Sequence, residues 1–176
     1  MRCCDEIKFS RLISFDPNLR LSLWKTPEEA RKRILYGMKQ CDIMKISEEE
    51  VAFVSAQESL EEGVSFIRDN SDIKILFVTL GNKGSIAYYK DEKIYCGGIH
   101  QEHVVDTTGA GDTFCGAVLS RILELGTDAL TEKDIREMLL FANAAASIVV
   151  TRKGALCSMP EPEEIRAASS LIDKVL

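Results

Sequence analysis

Hydrophobic and polar positions along the chain follow two periods, one typical of buried strands and the other typical of helices. Residues 73–79 have the clearest strand pattern, a run rich in β-branched and aromatic residues. The clearest helix follows residue 112, where apolar residues recur every three or four positions until Gly126 offers a stop. The apolar residues of that helix are Phe114, Ala117, Val118, Ile122 and Leu125.

Further strands and helices alternate along the rest of the chain. Thr26 and Glu29 predict a capping box, with Pro27 at the first position of a helix that ends near residue 40. Ser47 predicts a second helix start, because three acidic residues follow it. This alternation predicts an α/β layer fold with a mainly parallel sheet, whose ligands bind beyond the carboxyl ends of the strands. By the same criteria, residues 12–15 and 42–46 are strands, residues 85–89 and 93–96 form a hairpin around Asp91 and Glu92, and residues 59–68, 131–146 and 163–175 are helices.

Composition limits the kind of protein without changing this picture. The chain has 176 residues, of which 45% are hydrophobic and 28% are charged, as in ordinary globular domains. One domain is therefore the default, and no internal repeat or linker divides it. The formal net charge of −6 and the lack of a long run of lysine and arginine exclude a general nucleic-acid surface.

Cysteines and apolar runs exclude two further classes of protein. The six cysteines, at positions 3, 4, 41, 96, 115 and 157, include no C-x-x-C pair, and only two histidines occur. Neither a zinc site nor a disulfide framework has the required spacing, so we expect reduced cysteines. No apolar stretch is long enough to span a membrane, and the N-terminus is too charged for a signal peptide, so we expect a cytoplasmic protein.

Residues 106–119 read D-T-T-G-A-G-D-T-F-C-G-A-V-L and place Asp112 behind a glycine-rich turn. Asp112 falls in the first turn of the predicted helix, where unpaired N–H groups and the helix dipole attract anions. The glycines let a phosphate approach the backbone closely. The other interpretation is that Asp112 is a helix cap, since aspartate is a preferred residue at helix starts.

This long, ordered string closely resembles the second signature of the ribokinase-like (PfkB) carbohydrate kinases. The resemblance implies a three-layer α/β/α domain that phosphorylates a sugar hydroxyl with ATP. It also implies that Gly109, Ala110 and Gly111 form an anion hole around the transferred phosphoryl group, while Asp112 takes the proton from the sugar hydroxyl. Gly116, one turn later, is expected to let the helix pack closely on its neighbour.

Residues 13–24, I-S-F-D-P-N-L-R-L-S-L-W, resemble the F-D-P-N-x-R-x-x-L-W segment of fructokinases and their relatives acting on keto-sugars or sugar acids. The resemblance implies a position near the catalytic cleft. The alternative for Asp16, Pro17 and Asn18 is a simple turn, which these residues favour locally.

Residues 45–51, K-I-S-E-E-E-V, align with the family's N-x-x-E motif, whose glutamate helps to organise magnesium and phosphate. Ser47 stands in the place of the asparagine. Because Mg²⁺ keeps several waters and needs few carboxylates, Glu50 could act through a water without that asparagine. The alternative is a solvated helix start, which suits Glu48 and Glu49 better than Glu50.

Residues 79–84, T-L-G-N-K-G, resemble the family's T-L-G-x-x-G nucleotide loop. The resemblance implies that Thr79, Gly81 and Gly84 lie near the ATP phosphates and ribose, although glycine turns after strands are otherwise routine. Asn143, within F-A-N-A-A-A, matches an asparagine near the adenine. Its alternative is a tolerated polar residue on a helix face of small residues.

Residues 149–158, V-V-T-R-K-G-A-L-C-S, resemble the loop that holds a monovalent cation beside the anion hole, together with a segment like the one starting at Asp106. The implied ion is K⁺, and several of the matching positions act through backbone carbonyls. Arg152 and Lys153 have the alternative of being exposed charges. The matching positions are Asp106, Thr108, Val149, Arg152, Gly154 and Ser158.

The resemblance covers residues 12–176, whereas residues 1–11 fit it poorly. Family members are much longer, so the resemblance implies a C-terminal part that lacks the first glycine signature, most sugar-binding residues and the lid. Two functions remain: a kinase for fructose or a related keto-sugar or sugar acid that needs its other half, and a nucleotide-binding remnant without catalysis of its own. The third reading is an α/β domain with a chance motif. The expected partners are ATP, Mg²⁺, a small sugar, and either the missing N-terminal half or a second copy, with no nucleic acid and no membrane.

Overall fold

The computed structural model describes residues 12–154 and 156–172, in which strands and helices alternate along the chain. The strands are β1 (Ser14–Phe15), β2 (Ile43–Ser47), β3 (Ile75–Thr79), β4 (Gly84–Tyr89) and β5 (Glu92–Gly97). The helices are α1 (Pro27–Met38), α2 (Glu48–Ser55), α3 (Leu60–Asp69), α4 (Ala110–Leu125), α5 (Glu132–Val149) and α6 (Pro162–Ile172). None of the helices described is both long and apolar enough to cross a lipid bilayer.

The strands form a sheet in the order β1-β2-β3-β4-β5. Strands β1, β2 and β3 run parallel, with Ile43 opposite both Ser14 and Ile75. Two residues connect β4 to β5, which is too short for a crossover and makes these two strands antiparallel. The predicted α/β fold with a mainly parallel sheet is confirmed. The hairpin turn lies at Lys90 and Asp91, one residue earlier than predicted, because Lys90 adopts the left-handed conformation with φ 51°.

The first of two compact units includes residues 12–79 and 88–91. Its core is built on β2 and β3, in which four successive residues of each strand are buried, so both faces of these strands are covered. Helix α2 packs against α3 and β2, and α1 packs against α2. The fully buried side chains of this unit include Met38, Met44, Ile46, Ile67, Ile75, Leu76 and Phe77.

The second compact unit includes residues 80–87 and 92–172. Its centre is the pair of helices α4 and α5, which pack along each other, and α5 also packs against β5 and α6. The predicted apolar face of α4 is buried except for Leu125, which lies at the helix end and is 43% exposed. The apolar residues of α5 that complete this core are Ile135, Met138 and Leu139.

Helix ends follow the predicted caps with one exception. Ser47 caps α2 and forms a full capping box with Glu50, and Gly126 ends α4 with φ 77°. At the start of α1, the Thr26 side chain accepts a hydrogen bond from the Glu29 N–H at 3.2 Å. The return bond from the Glu29 side chain is not formed in the described structure, so this capping box is only half present.

The ends of several helices differ from the predicted ends by a few residues. Helix α1 ends at Met38, and α5 continues to Val149. The helix predicted over 163–175 begins at Pro162 and is described as far as Ile172. Residues 173–175, and residues 1–11 with their two cysteines, lie outside the described residues. None of the four cysteines described, at positions 41, 96, 115 and 157, forms a disulfide bond.

Two glycines differ in what their missing side chain allows. Gly84 has φ 108°, and a Cβ there would lie 2.2 Å from the Cys96 carbonyl oxygen, so this turn requires glycine. The prediction that Gly116 lets α4 pack closely on a neighbour is wrong, since a Cβ at that position meets no described atom within 4 Å. The reason is that α4 packs through the opposite face, which carries Phe114 and Val118.

Gly84→Ala is expected to lower the free energy of unfolding by at least about 2 kcal/mol, because alanine would clash with the Cys96 backbone and adopt a strained φ. Gly116→Ala is the matched control. At this exposed helix position, alanine is expected to raise the free energy of unfolding by about 0.5–1 kcal/mol. Urea denaturation followed by circular dichroism measures both variants. Equal effects of the two substitutions would contradict the backbone contact at Gly84.

Candidate functional site

The glycine-rich turn places Asp112 at the start of α4 without using it as a cap. Gly109 is the N-cap residue, with φ 83°, and its carbonyl accepts the Thr113 N–H at 2.8 Å. Asp112 lies in the first helical turn and is exposed. Within residues 12–154 and 156–172, its carboxylate has no hydrogen bond or ion pair. The arrangement leaves this carboxylate free at the positive end of a helix dipole.

The backbone of the same turn offers several hydrogen-bond donors. The N–H groups of Gly109, Gly111 and Asp112 have no partner among the described residues, as expected for the first turn of a helix. The Ala110 N–H differs, because it donates to the Thr107 carbonyl at 3.3 Å. Three unpaired donors therefore lie at the helix start, at the positive end of the helix dipole, and this combination attracts an anion.

Asp106 joins the segment before this turn to the loop that follows α5. Its Oδ1 accepts the Thr108 N–H at 2.9 Å, and its Oδ2 accepts the Gly154 N–H at 3.3 Å. The Asp106 N–H also donates to the Val150 carbonyl at 3.2 Å. The hydrogen bonds from Thr108, and next that from Gly154, lower the pKa of Asp106 below its usual value. The structure thus brings together the two segments that were predicted to hold a cation.

The remaining predicted cation residues lie in or beside that loop. The Ser158 hydroxyl donates to the Gly154 carbonyl, and the Val149 carbonyl accepts the Arg152 N–H at 3.1 Å. The Arg152 guanidinium is not a free charge, because it pairs with Glu164 of α6 and thereby lowers the pKa of that carboxyl. The loop after α5 is therefore held by hydrogen bonds between its own residues and by an ion pair to α6. The oxygens of Asp106 and of the matching loop residues are those of a carboxylate, of hydroxyls and of backbone carbonyls, which are the atom types that a hard monovalent cation binds.

The nucleotide-loop segment leaves β3 at Thr79 and passes through a short 3₁₀ turn, Gly81–Lys83, before β4 begins at Gly84. The Leu80 N–H donates to the Gly84 carbonyl at 2.8 Å, which closes the turn. Gly81 has φ 60° and nothing within 4 Å of its Cβ position, so its backbone is open to approach. This is the geometry that lets a phosphate or ribose come close to main-chain atoms.

Asn143 of α5 is buried, with 7% of the residue exposed. Its Nδ2 donates to the Cys96 and Gly97 carbonyls, each at 3.2 Å, and its Oδ1 accepts the Ser85 hydroxyl at 2.9 Å. Asn143 is therefore more than a tolerated polar residue on a helix face. Its predicted place near the adenine stays a prediction.

The first unit holds an ion pair that sequence reasoning missed. Lys45 of β2 is buried, and its Nζ lies 3.2 Å from the Asp16 Oδ2. A lysine within the apolar strand I-M-K-I-S was the available signal, since a buried lysine needs a partner. Burial raises the pKa of Asp16, while Lys45 opposes that rise and the charge of Glu50 adds to it. The Asn18 N–H donates to the Asp16 Oδ1 at 3.1 Å, which is the local turn expected of these residues.

Glu50 of α2 connects two backbone segments of the first unit. Its Oε1 accepts the Leu19 N–H at 2.5 Å, and its Oε2 accepts the Ser47 N–H at 2.9 Å. With 8% of the residue exposed, Glu50 is not part of a solvated helix start. Both oxygens already accept one bond, so the carboxylate suits a water-mediated contact to Mg²⁺ better than direct ligation. Within the described residues, no three His, Cys, Asp or Glu side chains form a group that could hold a metal ion.

A family model and the relatives that are similar in sequence all belong to the carbohydrate kinases. The family model for pfkB family carbohydrate kinases matches residues 1–162. Fructokinase-1 of Oryza sativa subsp. japonica is 42% identical over 156 residues, which are 88% of this chain and 47% of that protein. Probable fructokinase-4 of Arabidopsis thaliana is 39% identical over 158 residues, which are 89% of this chain and 48% of that protein.

Solved structures give the same result. A fructokinase double mutant of Vibrio cholerae O395, in a fructose, ADP and potassium ion bound form, has a TM-score of 0.84 and 32% identity, covering 94% of this chain and 53% of that chain. A ribokinase II of E. coli in complex with ATP and Mg²⁺ has a TM-score of 0.75 and 31% identity, covering 91% of this chain and 49% of that chain. The chain thus spans about half the length of these relatives.

Lys45→Met is expected to raise the pKa of Asp16 further, because the lysine is the positive charge that opposes the effect of burial. A carboxyl whose folded pKa lies above its unfolded value costs folding free energy once it ionises. The variant should therefore lose stability relative to the wild type as the pH rises through the pKa of Asp16. Carbon-13 NMR titration of the aspartate carboxyls and thermal melts at several pH values measure the two effects.

The matched control for this experiment is Lys74→Met, which breaks an exposed pair whose Nζ and Asp42 Oδ1 are 3.7 Å apart. This variant should leave the pKa of Asp16 at its wild-type value. If the pKa of Asp16 is the same in Lys45→Met and in Lys74→Met, the proposed effect of the Lys45 charge on Asp16 is wrong.

Proposed function

Because this chain belongs to the pfkB family of carbohydrate kinases, we propose that it supplies the catalytic and nucleotide-binding part of an enzyme that phosphorylates a sugar hydroxyl with ATP. The observation that carries the proposal is the free Asp112 carboxylate beside the unpaired N–H groups of Gly109, Gly111 and Asp112. A base and an anion site side by side are what transfer of a phosphoryl group to an alcohol requires.

Phosphoryl transfer asks a protein mainly for positioning and for stabilisation of spread negative charge. Asp112 would orient the sugar hydroxyl and take its proton, a role that typically accelerates a reaction by ~10²–10⁴-fold. The N–H groups of residues 109–112 would bind the oxygens of the transferred group, with the Ala110 donor shared with Thr107. The proposed acceptor is fructose or a related keto-sugar or sugar acid, which the similarity to fructokinases supports.

ATP would be held by the loop residues Thr79, Gly81 and Gly84 at its phosphates and ribose, and Asn143 would lie near the adenine. The open backbone at Gly81 supports this assignment. Glu50 would contact Mg²⁺ through a water, and the ion would offset the charge of the β and γ phosphates. The similarity to a ribokinase bound to ATP and Mg²⁺ supports the pair of cofactors.

We propose that a monovalent cation, K⁺, stabilises the anion site from the side of the loop after α5. The hydrogen bond from the Gly154 N–H to the Asp106 carboxylate supports this proposal, because it holds the two matching segments together. The other residues that would contribute are Thr108, Val149, Arg152 and Ser158, several through their backbone carbonyls.

A second candidate function is a nucleotide-binding remnant without catalysis of its own. The observation that favours it is length, since the chain covers 47% and 48% of the plant fructokinases. On this view catalysis needs a partner, either the remaining half of such a kinase or a second copy of this chain. The two functions differ in whether a partner restores turnover.

The purified chain is expected to bind ATP or ADP weakly and to release no ADP in response to fructose, because water is excluded from a kinase site only when the cleft closes. Adding the N-terminal half of a fructokinase such as the rice relative should restore turnover. Calorimetry with ATP and a coupled ADP-release assay measure the two steps. Robust fructose-dependent ADP release by the chain alone would rule out the need for a partner, and absence of any nucleotide binding would reject the proposed function.

Asp112→Asn, made in the complemented protein, is expected to lower the turnover rate by at least ~10²-fold with little change in ATP affinity, since asparagine cannot accept the proton. Steady-state kinetics and calorimetry measure the two quantities. The control is Asp72→Asn, an exposed loop carboxylate outside the proposed site, which should retain turnover. Full turnover in Asp112→Asn would reject this residue as the base.

Potassium is expected to tighten ADP binding to the chain relative to tetramethylammonium, which is too large for a site made of backbone carbonyls and a carboxylate. Calorimetric titrations in the two salts at equal ionic strength measure the difference. Asp106→Ala should remove the difference between the salts. Identical titrations of the wild-type chain in both salts would count against the cation site.

A further inference from the structure

We propose that Asn143 is a positioning residue that clamps the turn of the nucleotide loop, residues 80–84, and does not contact the adenine. The inference rests on the proposed nucleotide-binding function of that loop. It follows from the partners of the side-chain amide, from the segments those partners belong to, and from the way those segments hold the turn.

The hydrogen-bonding capacity of the Asn143 amide is largely used inside the protein. A carboxamide has two N–H donors, and here both face carbonyl oxygens, those of Cys96 and Gly97, at 3.2 Å each. Carbonyls only accept, so the nitrogen must be the atom that faces them. The remaining oxygen accepts the Ser85 hydroxyl at 2.9 Å. The Asn143 side chain therefore has no N–H donor left for a hydrogen bond to an adenine base.

The partners of Asn143 flank the turn on both sides. Ser85 follows Gly84 directly, so one bond fixes the point where the turn enters β4. Cys96 and Gly97 end β5, and the next residue, Gly98, donates its N–H to the Lys83 carbonyl of the turn at 3.0 Å. One side chain from α5 thus holds both the exit of the turn and the strand end that supports it.

The strand end lies directly on the turn, with no room for side chains between them. A Cβ at Gly98 would lie 2.2 Å from the Asn82 carbonyl oxygen, just as one at Gly84 would meet the Cys96 carbonyl. The Tyr95 hydroxyl adds a second bond to the Lys83 carbonyl, at 2.7 Å. A shift of the 96–97 backbone is therefore transmitted to the turn, and Asn143 is the side chain that prevents that shift.

The variant Asn143→Asp distinguishes a residue that positions the turn from one that contacts the adenine. It keeps the shape of the side chain and replaces the two N–H donors by an oxygen that repels both carbonyls. The expected result is that the Leu80 and Gly98 amides exchange with deuterium at least about tenfold faster, whereas β2 amides keep their wild-type rates. Asn70→Asp is the matched control, since Asn70 also donates from Nδ2 to a carbonyl, that of Phe66, at an exposed site.

Binding of two probes, ADP and inorganic tripolyphosphate, measured by calorimetry, gives the second readout. A clamp acts on the loop, so Asn143→Asp should weaken both probes by the same factor, about tenfold. A base contact would weaken ADP alone, and that result would overturn the proposal. Unchanged exchange at Leu80 and Gly98 would overturn it as well. If the wild-type chain binds neither probe, the proposed nucleotide function fails, and the exchange rates alone still decide the clamp.

Tyr95→Phe keeps the proposal testable if Asn143→Asp does not fold, because it removes only a hydroxyl from a side chain that is 51% exposed. Ser85→Ala removes the single bond to the Asn143 oxygen. Both variants should accelerate deuterium exchange at the Leu80 or Gly98 amide relative to the wild type, at unchanged rates in β2. Wild-type exchange in both variants would overturn the clamp.

Discussion

A chain that leaves the end of a strand has backbone N–H and C=O groups without partners in the sheet, and unpaired buried groups of this kind are costly. Three side chains of this protein supply such partners. Glu50 accepts one N–H group after β1 and one at the end of β2. Asp106 accepts one in the turn before α4 and one in the loop after α5, and Asn143 donates to two carbonyls at the end of β5. These side-chain contacts add to the backbone hydrogen bonds that hold the loops of the proposed chemistry, such as the bond from the Gly98 N–H to the Lys83 carbonyl.

Asp112 differs from three other carboxylates described above. Asp16 pairs with Lys45, and Glu50 and Asp106 each accept two backbone N–H groups. Asp112 has no such partner in the described part of the chain, and the N–H groups of its neighbours Gly109 and Gly111 are unpaired there. Three carboxylates are therefore engaged within the protein, and the Asp112 carboxylate remains available to a bound molecule.

The sequence predicted the elements well because their signals are local. Ser47, Thr131 and Gly126 mark helix ends through bonds within one turn, and apolar spacing placed α4 and the buried strand β3. The hairpin turn was one residue off, since the left-handed conformation of Lys90 has no composition signal.

Contacts between distant residues could not be predicted in the same way. The Lys45 and Asp16 pair joins residues 29 positions apart, and the Ser85 bond to Asn143 joins residues 58 positions apart. For Asn143 the resemblance to a family supplied a place near a ligand, but only the fold reveals that the amide faces two carbonyls. The sequence could not predict whether Gly116 of α4 faces a neighbouring helix or the surface. A small residue within a helix is compatible with either.

The link that Asp106 makes between its own segment and Gly154 has a consequence for how this part of the protein responds to acid. A carboxyl whose folded pKa lies below its unfolded value contributes stability at all pH values above the unfolded one, and loses that contribution only as the pH falls through the folded pKa. Acidification mild enough to protonate a histidine leaves such a link intact. The hydrogen bond from the Gly154 N–H to the Asp106 carboxylate therefore keeps the two loops joined over the whole pH range in which histidines titrate.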